Sequence, residues 1–70
     1  MRNRIKDFRN NANMTQQQLA DLVSVSSRTI ISLEKGQYNP SVLLAYKIAQ
    51  VFHVSIEKLF IFGEENEDEE

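Results

Sequence analysis

The 70-residue chain contains no cysteine, one proline, two glycines and a single histidine. Without cysteine there is no disulfide framework and no thiolate metal site. No run of 18 apolar residues suggests a membrane span, and the opening MRNRIKDF lacks the apolar segment of a signal peptide. These absences favour a cytoplasmic protein of bacterial type. No Gly-rich phosphate loop, nucleophile–base pair or carboxylate dyad is apparent, so no catalytic residue is assigned and an enzyme is not expected. His53 has no Cys, His or carboxylate at ligand spacing and reads as structural or solvated, so no metal or other cofactor is expected. Strand-type alternation is nowhere sustained, which points to an all-α protein.

Seventy residues make one small domain. A domain of this size buries only about 60% of its unfolded surface, so a partner subunit would help it. The apolar content of 41% suffices for one core. The formal net charge of −2 hides an uneven distribution. Residues 1–63 carry eight Lys/Arg against Asp7, Asp21, Glu34 and Glu57, a balance of +4, while EENEDEE at 64–70 carries −6. The body is therefore mildly basic, as suits a partner of nucleic acid, and 64–70 reads as an acidic disordered tail.

The richest segment is Thr15 to Gly36, where two helix-start signatures stand eleven residues apart. Thr15 and Ser26 each offer a hydroxyl to the free amides of a first turn. Met14 and Val25, just before them, can each pack on the residue five positions later, Leu19 and Ile30. Thr15 with Gln18 also fits a capping box. Eleven residues accommodate about two helical turns and a tight turn, the spacing of a helix-turn-helix. The same signature recurs at Pro40-Ser41 and Val54-Ser55.

Five helices are expected, at about 2–11, 16–23, 27–35, 42–52 and 56–61, with Leu19, Leu22 and Val23 as the apolar face of the second. A short strand is the alternative at Phe60-Ile61-Phe62. Gly36 can take positive φ after the third helix, and Pro40 stops helix from running through the next loop. Asn13, Ser24 and His53 stand where the other helices end; Asn tolerates the left-handed conformation better than Ser or His.

The helix at 27–35 carries the functional expectation. Ile30 and Leu33 form its core stripe, and Ser27, Arg28, Ile31, Ser32 and Lys35 the opposite one. A helix fits the major groove, where Arg28 can give a two-pronged bond to guanine, serines can bond base edges and Ile31 can pack on a thymine methyl. Gln16, at the start of the preceding helix, reads as a clamp on backbone phosphate, with Ser26 and Lys35 adding phosphate contacts. The competing account is a solvated face with one stray isoleucine.

These residues resemble a family. Thr15-Gln16, Leu19-Ala20, Val25-Ser26, Thr29-Ile30, Leu33-Glu34, Gly36, Tyr38-Asn39-Pro40-Ser41 and the closing VSIEKLF, in that order, resemble the Cro/phage-repressor (XRE-type) helix-turn-helix family from about Ile5 through Phe60. The resemblance implies a five-helix, lambda-repressor-like DNA-binding domain over 1–63, with its motif at 16–35, that binds operator DNA as a dimer. It implies DNA contacts by Gln16, Ser26, Ser27, Arg28 and Ser32; with Gln17, Thr29, Ile31 and Lys35 added, these are the residues expected to bind DNA. It further implies a structural ion pair between Arg9 and Glu34. The chain departs from the family at Ser24, where glycine is usual, and at Arg28 and Ile31, so an operator sequence cannot be borrowed from a relative.

Ile56, Leu59, Phe60, Ile61 and Phe62 place more apolar area at the C-terminal end than a small core needs, and are expected to form a dimer interface. A DNA-binding transcriptional regulator, acting as a repressor on an inverted repeat, is the first reading. A protein-interaction or antitoxin-type module on the same fold is the second. No small-molecule ligand or membrane partner is evident.

Overall fold

The computed structural model describes residues 2–61. Five helices follow in order: α1 Ile5–Asn11, α2 Gln16–Leu22, α3 Ser27–Glu34, α4 Val42–Val51 and α5 Ile56–Leu59. The expected disordered tail at 64–70 and Phe62 lie outside the described residues.

Four of the helices begin on a hydroxyl. Thr15, Ser26, Ser41 and Ser55 each have extended backbone and accept from the amide three residues on. Thr15 also completes the capping box, its own amide donating to Gln18 Oε1 at 2.8 Å. Such caps satisfy first-turn donors that the helix itself leaves unpaired.

Four helices also end alike. After α1, α2, α3 and α4 the backbone turns left-handed at Asn13, Ser24, Gly36 and His53, with φ of 55°, 63°, 77° and 57°. The next amide reaches back to the carbonyl five residues earlier: Met14 to Arg9, Val25 to Ala20, Gln37 to Ser32 and Val54 to Ala49, all at 3.0 Å. The amide of the left-handed residue itself reaches three residues back, to Asn10, Asp21, Leu33 and Gln50. This is the Schellman arrangement, which uses carbonyls orphaned at a helix end. Met14, Val25 and Val54 close one helix and precede the cap of the next, and all three pack on the core. One apolar residue thus fastens both sides of each turn.

The core joins Ile5, Leu19, Ala20, Val23, Ile30, Leu33, Leu44, Ala45, Ile48, Ala49, Leu59 and Phe60. Phe8 of α1 stacks on Phe52 after α4, ring centroids 5.7 Å apart. Three expectations need correction. In α2 the buried residue beside Leu19 and Val23 is Ala20, while Leu22 is 60% exposed; successive helical residues are about 100° apart, and Leu22 falls off the face that the other three share. The first helix starts at Ile5 rather than residue 2, because the backbone before it is bonded to the other end of the chain. Arg4 N–H donates to the Leu59 carbonyl at 2.8 Å and Ile61 N–H to that of Arg2 at 2.9 Å, around an isolated antiparallel bridge of Asn3 with Phe60. That pairing also ends α5 at Leu59, with Phe60 extended.

The third correction concerns the C-terminal apolar residues. Leu59 and Phe60 are 0% and 2% exposed, inside the protomer's own core, and so are not surface that a second subunit can cover. With so few residues, this domain uses them to close its core. Ile56 and Ile61 are half-buried.

Candidate nucleic-acid interface

α3 is held against α2 by Ile30 and Leu33, both fully buried. The expected opposite stripe is not covered: Arg28 and Lys35 are exposed, and Ser27, Ile31 and Ser32 half-buried. The side of α3 away from the core thus presents a guanidinium, an ammonium, two hydroxyls and one aliphatic side chain. Together these can donate to phosphates, bond base edges and pack on a methyl group.

At the start of α3, Ser26 Oγ accepts from Thr29 N–H at 3.3 Å and lies 3.2 Å from Thr29 Oγ1. The half-buried Thr29 therefore spends its hydroxyl on the cap. Ser26 is itself exposed. On α2, Gln17 is exposed and its Nε2 donates to Asp21 Oδ1, one turn along, at 2.8 Å. Gln16 is half-buried beside the end of α3, and its Nε2 donates to Glu34 Oε1 at 3.1 Å.

Glu34 is also the partner of Arg9. Arg9 Nε donates to Glu34 Oε2 at 2.7 Å and Arg9 Nη2 to Oε1 at 3.2 Å, with the two side chains only 10% and 5% exposed. Arg9 Nη1 donates to the Met14 carbonyl at 2.8 Å. This two-pronged pair spans α1 and α3, and no buried side-chain nitrogen or oxygen among the described residues lacks a partner. Planar forks of this kind fix geometry as well as attract.

Two features were missed in the sequence. Asn3 Nδ2 donates to the Leu33 carbonyl at 2.8 Å, and its Oδ1 accepts from Ile5 N–H at 3.1 Å. It thus ties the first amide of α1 to the end of α3. An Asn two residues before the first apolar helical position was the available signal. The second is an apolar surface: Val42, Leu43 and Tyr46 on α4 are 81%, 62% and 51% exposed, with Tyr38 exposed in the preceding loop. In sequence these residues merge with the apolar run of α4, which hides them.

Among the described residues no group of three or more His, Cys, Asp or Glu can hold a metal ion. No helix there is long and apolar enough to cross a membrane.

A helix-turn-helix family model matches residues 5–59. An uncharacterized HTH-type transcriptional regulator of Archaeoglobus fulgidus is 62% identical over 65 residues, covering 93% of this chain and 92% of its own length. The restriction-modification controller protein C.AhdI of Aeromonas hydrophila has a similar structure, with TM-score 0.74 at 26% identity, covering 81% of this chain and 86% of that one. The iron(II) protein HppE, solved with its substrate, is also similar, with TM-score 0.73 at 28% identity, covering 80% of this chain but 33% of that one.

Proposed function

The chain belongs to the helix-turn-helix family matched over residues 5–59, and from that membership we propose a sequence-specific DNA-binding transcriptional regulator of the cytoplasm. It works by binding rather than catalysis, as a repressor that occupies an inverted-repeat operator as a homodimer. One observation carries this reading: on the Ser27, Arg28, Ile31, Ser32 and Lys35 side of α3, Arg28 and Lys35 are exposed and the other three only half-buried, while Ile30 and Leu33 anchor the helix from behind. In this reading α3 enters the major groove. Arg28, Ser27, Ile31 and Ser32 meet base edges; Gln16, Gln17, Ser26 and Lys35 meet the phosphate backbone, and Thr29 holds Ser26 in place. Two copies would set their α3 helices about 34 Å apart, one turn of B-DNA. The outward side of α4, with Val42, Leu43 and Tyr46, is the apolar surface left to the second copy.

That same surface supports a second reading, an antitoxin-type module that engages another protein. Selection of bound duplexes from a random pool separates the two. The regulator enriches an inverted repeat, with affinity falling steeply as salt rises because phosphate contacts release counterions. No enrichment, with weak binding indifferent to salt, refutes it. On the selected site Arg28→Ala is expected to lose about 1–3 kcal/mol and relax preference at one base pair. Uniform weakening on all sequences would instead place Arg28 on phosphate.

A further inference from the structure

The Glu34 carboxylate does more than pair with Arg9. Its Oε1 accepts from both Arg9 Nη2 and Gln16 Nε2, at 3.2 and 3.1 Å, while Oε2 accepts from Arg9 Nε at 2.7 Å. The remaining guanidinium nitrogen holds the Met14 carbonyl at 2.8 Å, directly before the cap of α2. One buried constellation therefore joins α1, the α1–α2 turn, the first residue of α2 and the last of α3. An ion pair between Arg9 and Glu34 does not need Gln16. The third bond does something different: it sets the orientation of a long side chain whose terminal torsion is otherwise broad.

A glutamine amide has two N–H donors and one acceptor oxygen. With one N–H on Glu34, the second diverges from it within the same plane, directed away from the carboxylate. We propose that Glu34 is a positioning residue that pre-orients the Gln16 amide so that its second N–H meets a DNA phosphate. This rests on the reading of Gln16 as a backbone contact given above. Arg9 is essential to the arrangement for a separate reason. A bare carboxylate one amide away from a phosphate would repel it, whereas the two-pronged guanidinium cancels that charge. The pair supplies orientation with no net charge, and it couples the seating of α2 and α3 on each other to the backbone contact.

The test uses the full chain, a random-sequence 30-base-pair duplex and low salt, since a phosphate contact carries no sequence information. Affinities are compared for the native protein, Gln16→Ala, Glu34→Asp and the double variant. The Glu34→Asp change keeps a negative charge facing Arg9 but draws the carboxylate back by one methylene. The short bond to Gln16 cannot follow, while the attraction between the two charges persists over the longer distance. Gln16→Ala is expected to weaken binding roughly three- to tenfold, in line with the loss of one hydrogen bond. Glu34→Asp should weaken it to a similar degree, and the double variant no further. In the free protein, proton–nitrogen spectra should show two well-separated, slowly exchanging Gln16 side-chain amide protons. These should collapse toward free-glutamine values in Glu34→Asp while α3 backbone signals persist. Should Glu34→Asp fail to fold, the native protein still decides: its Gln16 side-chain amide must show a proton protected from exchange by Glu34, and an amide exchanging like free glutamine overturns the proposal. An equal cost of Gln16→Ala in the native and Glu34→Asp backgrounds overturns the proposal. So does unchanged binding by Gln16→Ala, which leaves the DNA-binding reading standing; failure of the native protein to bind any duplex removes both.

Discussion

Replacing Ser24 with glycine should make this protein more stable, although it removes a side-chain hydroxyl and adds nothing. Ser24 sits at φ 63°, in the left-handed region, at the turn between α2 and α3. Its backbone amide donates to Asp21 and the next amide to Ala20, so the turn depends on that conformation. Its side chain is exposed and makes no hydrogen bond in the described structure, so truncation breaks nothing. An L-residue with a Cβ is disfavoured there by roughly 1–2 kcal/mol. Glycine escapes that cost, but loses roughly 0.5–1 kcal/mol more backbone entropy on folding. The difference favours Ser24→Gly by about 0.5–1 kcal/mol. In a domain this small each kcal/mol shifts the midpoint by about 4–8 °C, so the gain should be about 2–8 °C.

His53, at φ 57° and exposed after α4, repeats the situation. The two turns share no hydrogen-bond partner, so the double variant should show nearly the sum. Asn13→Gly should gain less, because asparagine tolerates this region. The assay is thermal unfolding followed by far-UV circular dichroism at one fixed protein concentration, since self-association of the kind proposed above would make the midpoint concentration-dependent. A fall in midpoint for both Ser24→Gly and His53→Gly would refute the argument, showing that these side chains hold their turns by contacts of their own.

Glu34→Ala should cost about 3–5 kcal/mol, because it strands a buried guanidinium; a 70-residue domain has roughly 3–10 kcal/mol in all, so the variant should be largely unfolded by mild urea, and a loss under about 1 kcal/mol, the range of an exposed pair, would show the pair to be superficial. Leu59→Ala should lose about 2–5 kcal/mol while Leu22→Gln stays within about 0.5 kcal/mol, measured by urea unfolding; the reverse order would mean that α2 and α5 are seated differently. A chain ending at Gly63 lacks six negative charges and should bind random duplex more tightly at low salt if the acidic end competes with phosphate; unchanged affinity discards that role for it.

How the chain divides into helices was legible because the signals are local. Thr15, Ser26, Ser41 and Ser55 announce four helix starts to the residue, since a hydroxyl cap acts across only three positions. The four ends were visible in Asn13, Ser24, Gly36 and His53, all but Gly36 standing two residues before the next cap. The candidate site was legible to the extent that one helix was: Ile30 and Leu33 assign the inside of α3, and the uncovered side follows from the helical period. The partnership of Arg9 with Glu34 did not follow from any spacing; it came through the family resemblance, because 25 residues separate the two.

What the sequence determined by itself was therefore everything whose cause lies within a turn or two of chain: the caps, the left-handed exits, the inner and outer sides of α3. Only the tertiary structure decided that Ala20 rather than Leu22 meets the core, and that Leu59 and Phe60 close the protomer instead of joining two. It alone decided that residues 2–4 pair with the far end of the chain, and that Gln16 leans on Glu34. Each of these is a competition for the same buried space or the same acceptor between segments remote in sequence. Hydrophobicity ranks the candidates, but the geometry of the assembled helices selects among them.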